Sequence, residues 1–293
     1  MATAKAILLT LRPRQWVKNL FVLAPLVFGK ELFALPSLWA SLAAALAFCG
    51  LSGAVYAFND VRDVELDRRH PLKCRRPIAA GDLGERTALA TAGALAAASL
   101  LVCALLSFEL VAVALLYLLI NLSYSLALKR VAFLDVLLIA SGFLLRVVGG
   151  AYAIDVVVSP WLLACTALLA SLLGFGKRAH ELAQMRGAGA TAPTRTALAG
   201  YNEPVLRWIL VVLAAVTVVC YGFYTVDERT IAFFGTRQLL WTTPFCAAGI
   251  LRFLQLAAWR PRLESPTEAI LRDPLFLMNM AAWGVAVLAI IYR

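Results

Sequence analysis

Charge is what this 293-residue sequence has least of: 15% of its residues are Asp, Glu, Lys or Arg, where a soluble domain carries about a quarter. With 62% hydrophobic residues, the composition excludes a soluble globular protein. Histidine is nearly absent, and His70 and His180 are too isolated to suggest a metal site. Cys49, Cys74, Cys103, Cys165, Cys220 and Cys246 form no close pair and no metal-ligand spacing. Five of them lie in apolar stretches and read as small hydrophobes. The net charge of +10 has no soluble basic domain to carry it, so nucleic-acid binding is not expected. No cleavable signal peptide is expected either, because the apolar run 6–11 is short and meets Arg12-Pro13 at once. That run suits an interfacial helix.

What the chain has in abundance is apolar stretches long enough to span roughly 30 Å of hydrocarbon. Nine transmembrane helices are predicted, at 18–35, 38–58, 86–106, 108–128, 133–153, 160–178, 205–225, 239–258 and 274–292. The first is interrupted by Pro25 and Gly29, with Pro36 just beyond it. The fold expected is an all-α integral membrane protein in a single domain over residues 1–293. Of the 27 basic residues, 22 fall on the side of the N-terminus in this arrangement. The other side keeps Lys30, Arg229, Arg237 and Arg293, and Arg146 lies within a helix. By the positive-inside rule the N-terminus is cytoplasmic and the C-terminus outside. The two longest connections, 59–85 and 177–204, are then cytoplasmic. The second opens as a helix over Gly176–Leu182 and then loosens into Arg186–Thr194, a flexible stretch by its Gly, Ala and Pro content.

The scarce charge is also concentrated. Asn59-Asp60-Val61-Arg62-Asp63-Val64-Glu65-Leu66-Asp67 puts four carboxylates and an amide into nine residues, directly after an apolar run. Continued as a helix, Asn59, Asp63 and Asp67 fall at i, i+4 and i+8, with Asp60 one step round the cylinder. Such a ladder repels itself unless cations neutralise it, and Mg²⁺ shared with a phosphorylated substrate is the usual solution. A solvated acidic helix end is the plainer reading of the motif.

Basic residues surround the ladder. Arg12, Arg14 and Lys18 flank Trp16 at the start of the first predicted span, and Arg75-Arg76-Pro77 lies in the first long connection. Topological signalling accounts for such charges as readily as anion binding does. Lys177 and Arg178 end the sixth span, with Glu181 at i+4 from Lys177; a surface ion pair there would be worth little. Arg146 is the sharpest single residue, since a charge in mid-helix costs about 2.5–3.5 kcal/mol on insertion scales. It is expected to meet an anion, or to pair with Asp135 or Asp155. Tyr124 and Lys129 could line the same cavity, with snorkelling as the alternative for Lys129.

Taken together, these motifs resemble the UbiA superfamily of intramembrane prenyltransferases. Within it they are similar to the decaprenyl-phosphate phosphoribosyltransferase branch. The resemblance rests on Arg12-Pro13-Arg14-Gln15-Trp16-Val17-Lys18-Asn19, the Asn59–Glu65 motif and Arg76-Pro77-Ile78-Ala79-Ala80-Gly81. Gly176-Lys177-Arg178 with Glu181-Leu182, and Leu271-Arg272-Asp273, complete it. It implies a helical bundle around a cavity open to the cytoplasmic face. It also implies transfer of 5-phosphoribose from phosphoribosyl pyrophosphate to a polyprenyl phosphate, feeding cell-wall arabinan synthesis in actinobacteria. Asn59, Asp60, Asp63 and Asp67 would hold Mg²⁺ on the diphosphate, with Asp60, Asp63 and Asp67 the residues on which catalysis depends. Arg14, Lys18, Arg75, Tyr124, Lys129, Arg146, Lys177, Arg178 and Glu181 would bind substrate. The protein would be a multi-pass component of the inner (plasma) membrane, and a homo-oligomer is compatible with this reading.

One departure from the wider superfamily separates the alternatives. Aromatic prenyltransferases carry a second Asp-rich motif after helix 6, where this chain has Lys177, Arg178 and Glu181. Cations in that position suit a directly held phosphate, so an enzyme moving a prenyl chain onto an aromatic acceptor is the second reading. A transporter or polyprenyl-phosphate flippase is a third, weakened by the scarcity of intramembrane polar residues and the lack of an inverted repeat.

Overall fold

A computed structural model of the chain describes residues 2–70, 72–187, 196–259 and 266–293. The centre of the connection predicted to be flexible, and Arg195, Arg260 and Arg262 of the basic set, lie outside the described residues. Among the described residues the secondary structure is entirely helical. Eight helical stretches are long and apolar enough to cross a membrane: Leu35–Arg62, Glu85–Leu106, Phe108–Leu126, Leu134–Ala153, Pro160–Met185, Glu203–Val226, Gln238–Ala257 and Pro274–Ile291. Proline in the first turn opens several of these helices, where its missing N–H would have had no partner.

The expected first span, 18–35, is not one continuous α-helix. Residues Pro13–Leu23 form a 3-10 helix, followed by the short α-helix Ala24–Phe28. Pro25 removes a donor and Gly29 ends the turn, so the backbone cannot settle into one ladder of i→i−4 bonds. The span predicted at 160–178 and the helical stretch expected over 176–182 form one helix that runs on to Gly187 and carries Lys177, Arg178 and Glu181 on continuous backbone.

The chain divides into two compact units. The first comprises Met1–Leu126 and Leu145–Val158, the second Ala127–Leu144 and Ser159–Arg293. In the first unit, Leu35–Arg62 packs along Glu85–Leu106 through small residues; a methyl group on Gly50 would lie 2.1 Å from Ser99 Oγ. Close approach through small side chains is the usual device where lipid removes the hydrophobic drive between helices. Val22, Phe48, Leu51, Leu110 and Tyr117 form its apolar centre. In the second unit Val136, Leu172, Phe175, Tyr201, Leu206 and Phe253 belong to one core. Large apolar side chains on the crossing helices stay exposed, such as Leu105, Leu119 and Met278, which a hydrocarbon phase would cover.

Candidate functional site

The acidic ladder lies in the first unit. The helix Leu35–Arg62 carries Asn59 and Asp60, the chain steps at Asp63, and the five-residue helix Val64–Arg68 follows. The step preserves helical register: Asp63 N–H donates to the Asn59 carbonyl at 2.9 Å, and Asp67 N–H to the Asp63 carbonyl at 2.8 Å. Asp60 and Asp67 are each only 3% exposed. Two buried like charges need a compensating cation, and arginine supplies it. Arg76 Nη1 donates to Asp60 Oδ1 at 3.0 Å and to Asp67 Oδ2 at 2.6 Å. Arg12 Nη2 donates to the same oxygen of Asp60, with its guanidinium 4.9 Å from the ring centre of Tyr56.

Arg12 and Arg76, rather than Arg14 and Arg75, are therefore the cations on the ladder; Arg14 and Arg75 are exposed. A signal for this exists in the sequence. Arg12 and Arg76 immediately precede Pro13 and Pro77, and a residue before proline is held out of the helical region. Arg76 is extended, at φ −66° and ψ 142°. Arg12 takes a left-handed backbone, at φ 53° and ψ 63°, a conformation that a non-glycine residue keeps only when its surroundings enforce it.

Whether these residues suit Mg²⁺ can be judged from their donors. Among the described residues no group of three or more His, Cys, Asp or Glu side chains converges to hold a metal ion. Two carboxylates nonetheless meet at one cationic nitrogen of Arg76. Beside them Asn59 Oδ1 is buried without a hydrogen-bond partner. Hard oxygens directed at a positive centre are the donor set Mg²⁺ prefers. Asp63, partly buried at the step, is the fourth oxygen-bearing residue of the ladder.

A second polar group in the same unit surrounds Arg146, 6% exposed within the helix Leu134–Ala153. Its Nε donates to Asn19 Oδ1 at 2.7 Å and its Nη2 to the Tyr117 hydroxyl at 2.8 Å. Asn19 Nδ2 in turn reaches Ser52 Oγ at 3.3 Å. One turn along, Gly150 makes this possible: a methyl group there would lie 1.9 Å from the Val22 carbonyl oxygen. The helix thus touches the 3-10 backbone that carries Asn19. Lys18, partly buried, lies within electrostatic reach of Arg146 and Arg12. Tyr56 and Tyr117 are not among the residues the sequence pointed to, where a phenol inside an apolar run was the available signal; Asn19 closes the Arg12–Asn19 motif. Tyr124, at the end of Phe108–Leu126, is partly buried.

The second unit holds a different arrangement. Asp135, offered by the sequence as a partner of Arg146, pairs instead with Arg178, whose Nε lies 2.8 Å from Asp135 Oδ2; both side chains are fully buried. Arg178 also pairs with Glu181 through Nη1. The other Asp135 oxygen accepts from the Tyr201 hydroxyl at 2.6 Å, which accepts the Phe133 N–H at 2.7 Å. Phe133 is left-handed, at φ 66°. Burial, and then the hydrogen bond to Asp135, push the Tyr201 phenol well above its ordinary range. Lys177, next to Arg178, is exposed, and Lys129 is partly buried in the 3-10 turn Leu128–Arg130. Outside both groups, His70 Nδ1 accepts the N–H groups of Leu72 and Lys73 at 3.2 and 3.3 Å, a turn-capping role.

Residues 22–290 match the model of the UbiA prenyltransferase family. The chain belongs to this family. Decaprenyl-phosphate phosphoribosyltransferase of Mycolicibacterium smegmatis is 35% identical over 96% of this chain and 91% of its own length. The protein of the same name from Corynebacterium glutamicum is 33% identical over 99% and 87%. In fold, the chain is similar to a UbiA homolog from Archaeoglobus fulgidus solved with GPP and Mg²⁺. The TM-score is 0.73 at 20% identity, covering 98% of this chain and 100% of that one. The family match runs through both compact units of the UbiA chain described here.

Proposed function

We propose that this multi-pass membrane protein transfers 5-phosphoribose from phosphoribosyl pyrophosphate to a polyprenyl phosphate, decaprenyl phosphate by analogy with its relatives, releasing diphosphate. The observation that carries the reading is the full-length similarity to decaprenyl-phosphate phosphoribosyltransferases. The presence of one acidic ladder rather than two supports it. Where a second Asp motif would stand, Arg178 is closed into an ion pair with Asp135 and Glu181.

Asn59, Asp60, Asp63 and Asp67 are the residues that would hold Mg²⁺, which supplies Lewis-acid stabilisation of a departing diphosphate. The chain's own residues account for the rest. Arg12, Lys18, Arg76 and Arg146 give the first unit a cationic set that suits substrate phosphates. Arg14, Arg75, Tyr124, Lys129 and Lys177 are further candidates for substrate contact. As diphosphate leaves, C1 of the ribose becomes oxocarbenium-like, and a phosphate oxygen of the lipid attacks from the opposite face. A phosphate monoester is largely dianionic at neutral pH, so no general base is required. Positioning and fixed positive charge provide most of the rate.

The topology follows the same logic. At about 2.0 Å per residue in a 3-10 helix and 1.5 Å in an α-helix, Pro13–Phe28 reaches roughly 30 Å. That length matches the hydrocarbon core and supports a ninth crossing. The N-terminus and the ladder then face the cytoplasm across the plasma membrane, in line with the basic residues. Residues 1–293 act as one domain in this reading, with a product destined for cell-wall arabinan.

Purified protein, radiolabelled phosphoribosyl pyrophosphate and polyprenyl phosphate test the proposal directly. A labelled lipid and stoichiometric diphosphate are expected only when both substrates are present. Transfer of a prenyl group to 4-hydroxybenzoate or a naphthoate, with no phosphoribosyl lipid, would overturn it.

A further inference from the structure

We infer that Arg76 and Arg12 are built-in counter-cations of the acidic ladder. They hold Asp60 and Asp67 until a divalent cation takes those carboxylates, and then turn to the phosphates of the substrate. One nitrogen, Arg76 Nη1, occupies the place where Asp60 Oδ1 and Asp67 Oδ2 converge, at 3.0 and 2.6 Å. Arg12 contacts the same Asp60 oxygen. A metal ion drawing on these carboxylates and a guanidinium nitrogen cannot share that place, so the two compete. Ion and arginine are alternative solutions to one problem, the charge of two buried carboxylates.

The carboxylates and the arginines differ in freedom. Asp60 and Asp67 side chains are 3% and 4% exposed, whereas those of Arg12 and Arg76 are both 29% exposed. The Arg76 backbone is held extended before Pro77, and both long side chains reach inward from the more accessible side. Exchange therefore needs only side-chain rotation, with the acidic helix left in place. The orphaned Asn59 Oδ1 fits the same account, being an acceptor that neither arginine satisfies. A guanidinium released beside a diphosphate gains a bidentate partner of the geometry it prefers. This second half, the turn toward phosphate, rests on the proposed phosphorylated substrate; the competition with metal does not.

The test uses Mn²⁺ as the metal probe, titrated into the full-length protein in detergent and followed by electron paramagnetic resonance. Without any substrate, Arg76→Gln is expected to bind Mn²⁺ roughly tenfold more tightly than the parent, within the usual span for competing ligands. Arg76→Lys, which keeps a cation there, is expected to stay near the parent. Equal or weaker Mn²⁺ binding by Arg76→Gln would overturn the competition. Should Arg76→Gln fail to fold without metal, recovery of its thermal transition on adding Mn²⁺ supports the inference, and failure to recover overturns it. At saturating Mn²⁺, inorganic diphosphate is expected to bind Arg76→Gln about tenfold more weakly. Unchanged diphosphate affinity would overturn the turn toward phosphate. Neither titration uses phosphoribosyl pyrophosphate or lipid, so the outcome is separate from that of the transfer assay.

Discussion

The two units treat buried charge in opposite ways. In the second, Arg178 meets Asp135 and Glu181, and Tyr201 caps the remaining Asp135 oxygen. The group reads as a clasp that ties the helix Pro160–Gly187 to the backbone at Phe133. In the first, one nitrogen serves two carboxylates, an amide oxygen of Asn59 is left without a partner, and Lys18 and Arg146 add positive charge nearby. The clasp is sealed, with Arg178 and Asp135 fully buried, whereas the arginines on the ladder stay 29% exposed, open to something still to be bound. Buried ion pairs alone are weak evidence for function. The difference in access is what separates a structural group from a chemical one.

The comparison breaks most sharply at the ladder itself. Asp67→Ala is expected to lower turnover by about a thousandfold or more, on the scale of losing a principal electrostatic contributor, with the helical circular dichroism signal retained. EDTA-treated parent protein should lose activity as completely and regain it with Mg²⁺. Activity that survives chelation would remove the ladder from the chemistry.

The clasp should fail in the other currency, stability. Arg178→Ala leaves Asp135 buried without its cation, and a loss of about 3–5 kcal/mol is expected. It would appear as a large drop in the thermal midpoint in detergent. A normal midpoint combined with a raised KM would reassign Arg178 to substrate binding.

Tyr201→Phe sharpens the same point at smaller scale. It strips Asp135 and the Phe133 N–H of one hydrogen bond each, worth about 1–3 kcal/mol. Thermal unfolding should detect the loss, while KM stays level. Smallest of all is Lys177→Ala. Its exposed side chain should contribute less than about 0.5 kcal/mol to stability, so any effect belongs to KM for a phosphorylated substrate. No change in KM for either substrate would return Lys177 to a topological charge.

Much of the scaffold was legible in the sequence because long apolar runs and their breakers act locally. Seven of the eight continuous crossings differ from expectation by only a few residues at their ends, and Pro160–Gly187 by its extension past 178. The segment 18–35 was harder to read. Composition registers that it is apolar, but the choice between an α-helix and a 3-10 run followed by a short helix depends on Pro13, Pro25 and packing against Gly150. For the candidate site, the ladder was legible from its spacing, whereas its counter-cations were marked only by the prolines that follow them. Arg12 and Arg14 are otherwise alike in local composition, as are Arg75 and Arg76, and backbone direction decides which reaches inward. The pairing of Asp135 with Arg178 rather than Arg146 is a matter of register between distant segments, which no local pattern encodes.

Gly150 carries a consequence for how tolerance to change would look along this chain. It bears no charge and makes no contact with the ladder. Yet one added methyl group would push the helix off Val22 and draw Arg146 away from Asn19. In a saturation scan scored by growth, position 150 would stand beside the aspartates as intolerant, although the protein made from its alanine allele could still be abundant in the membrane.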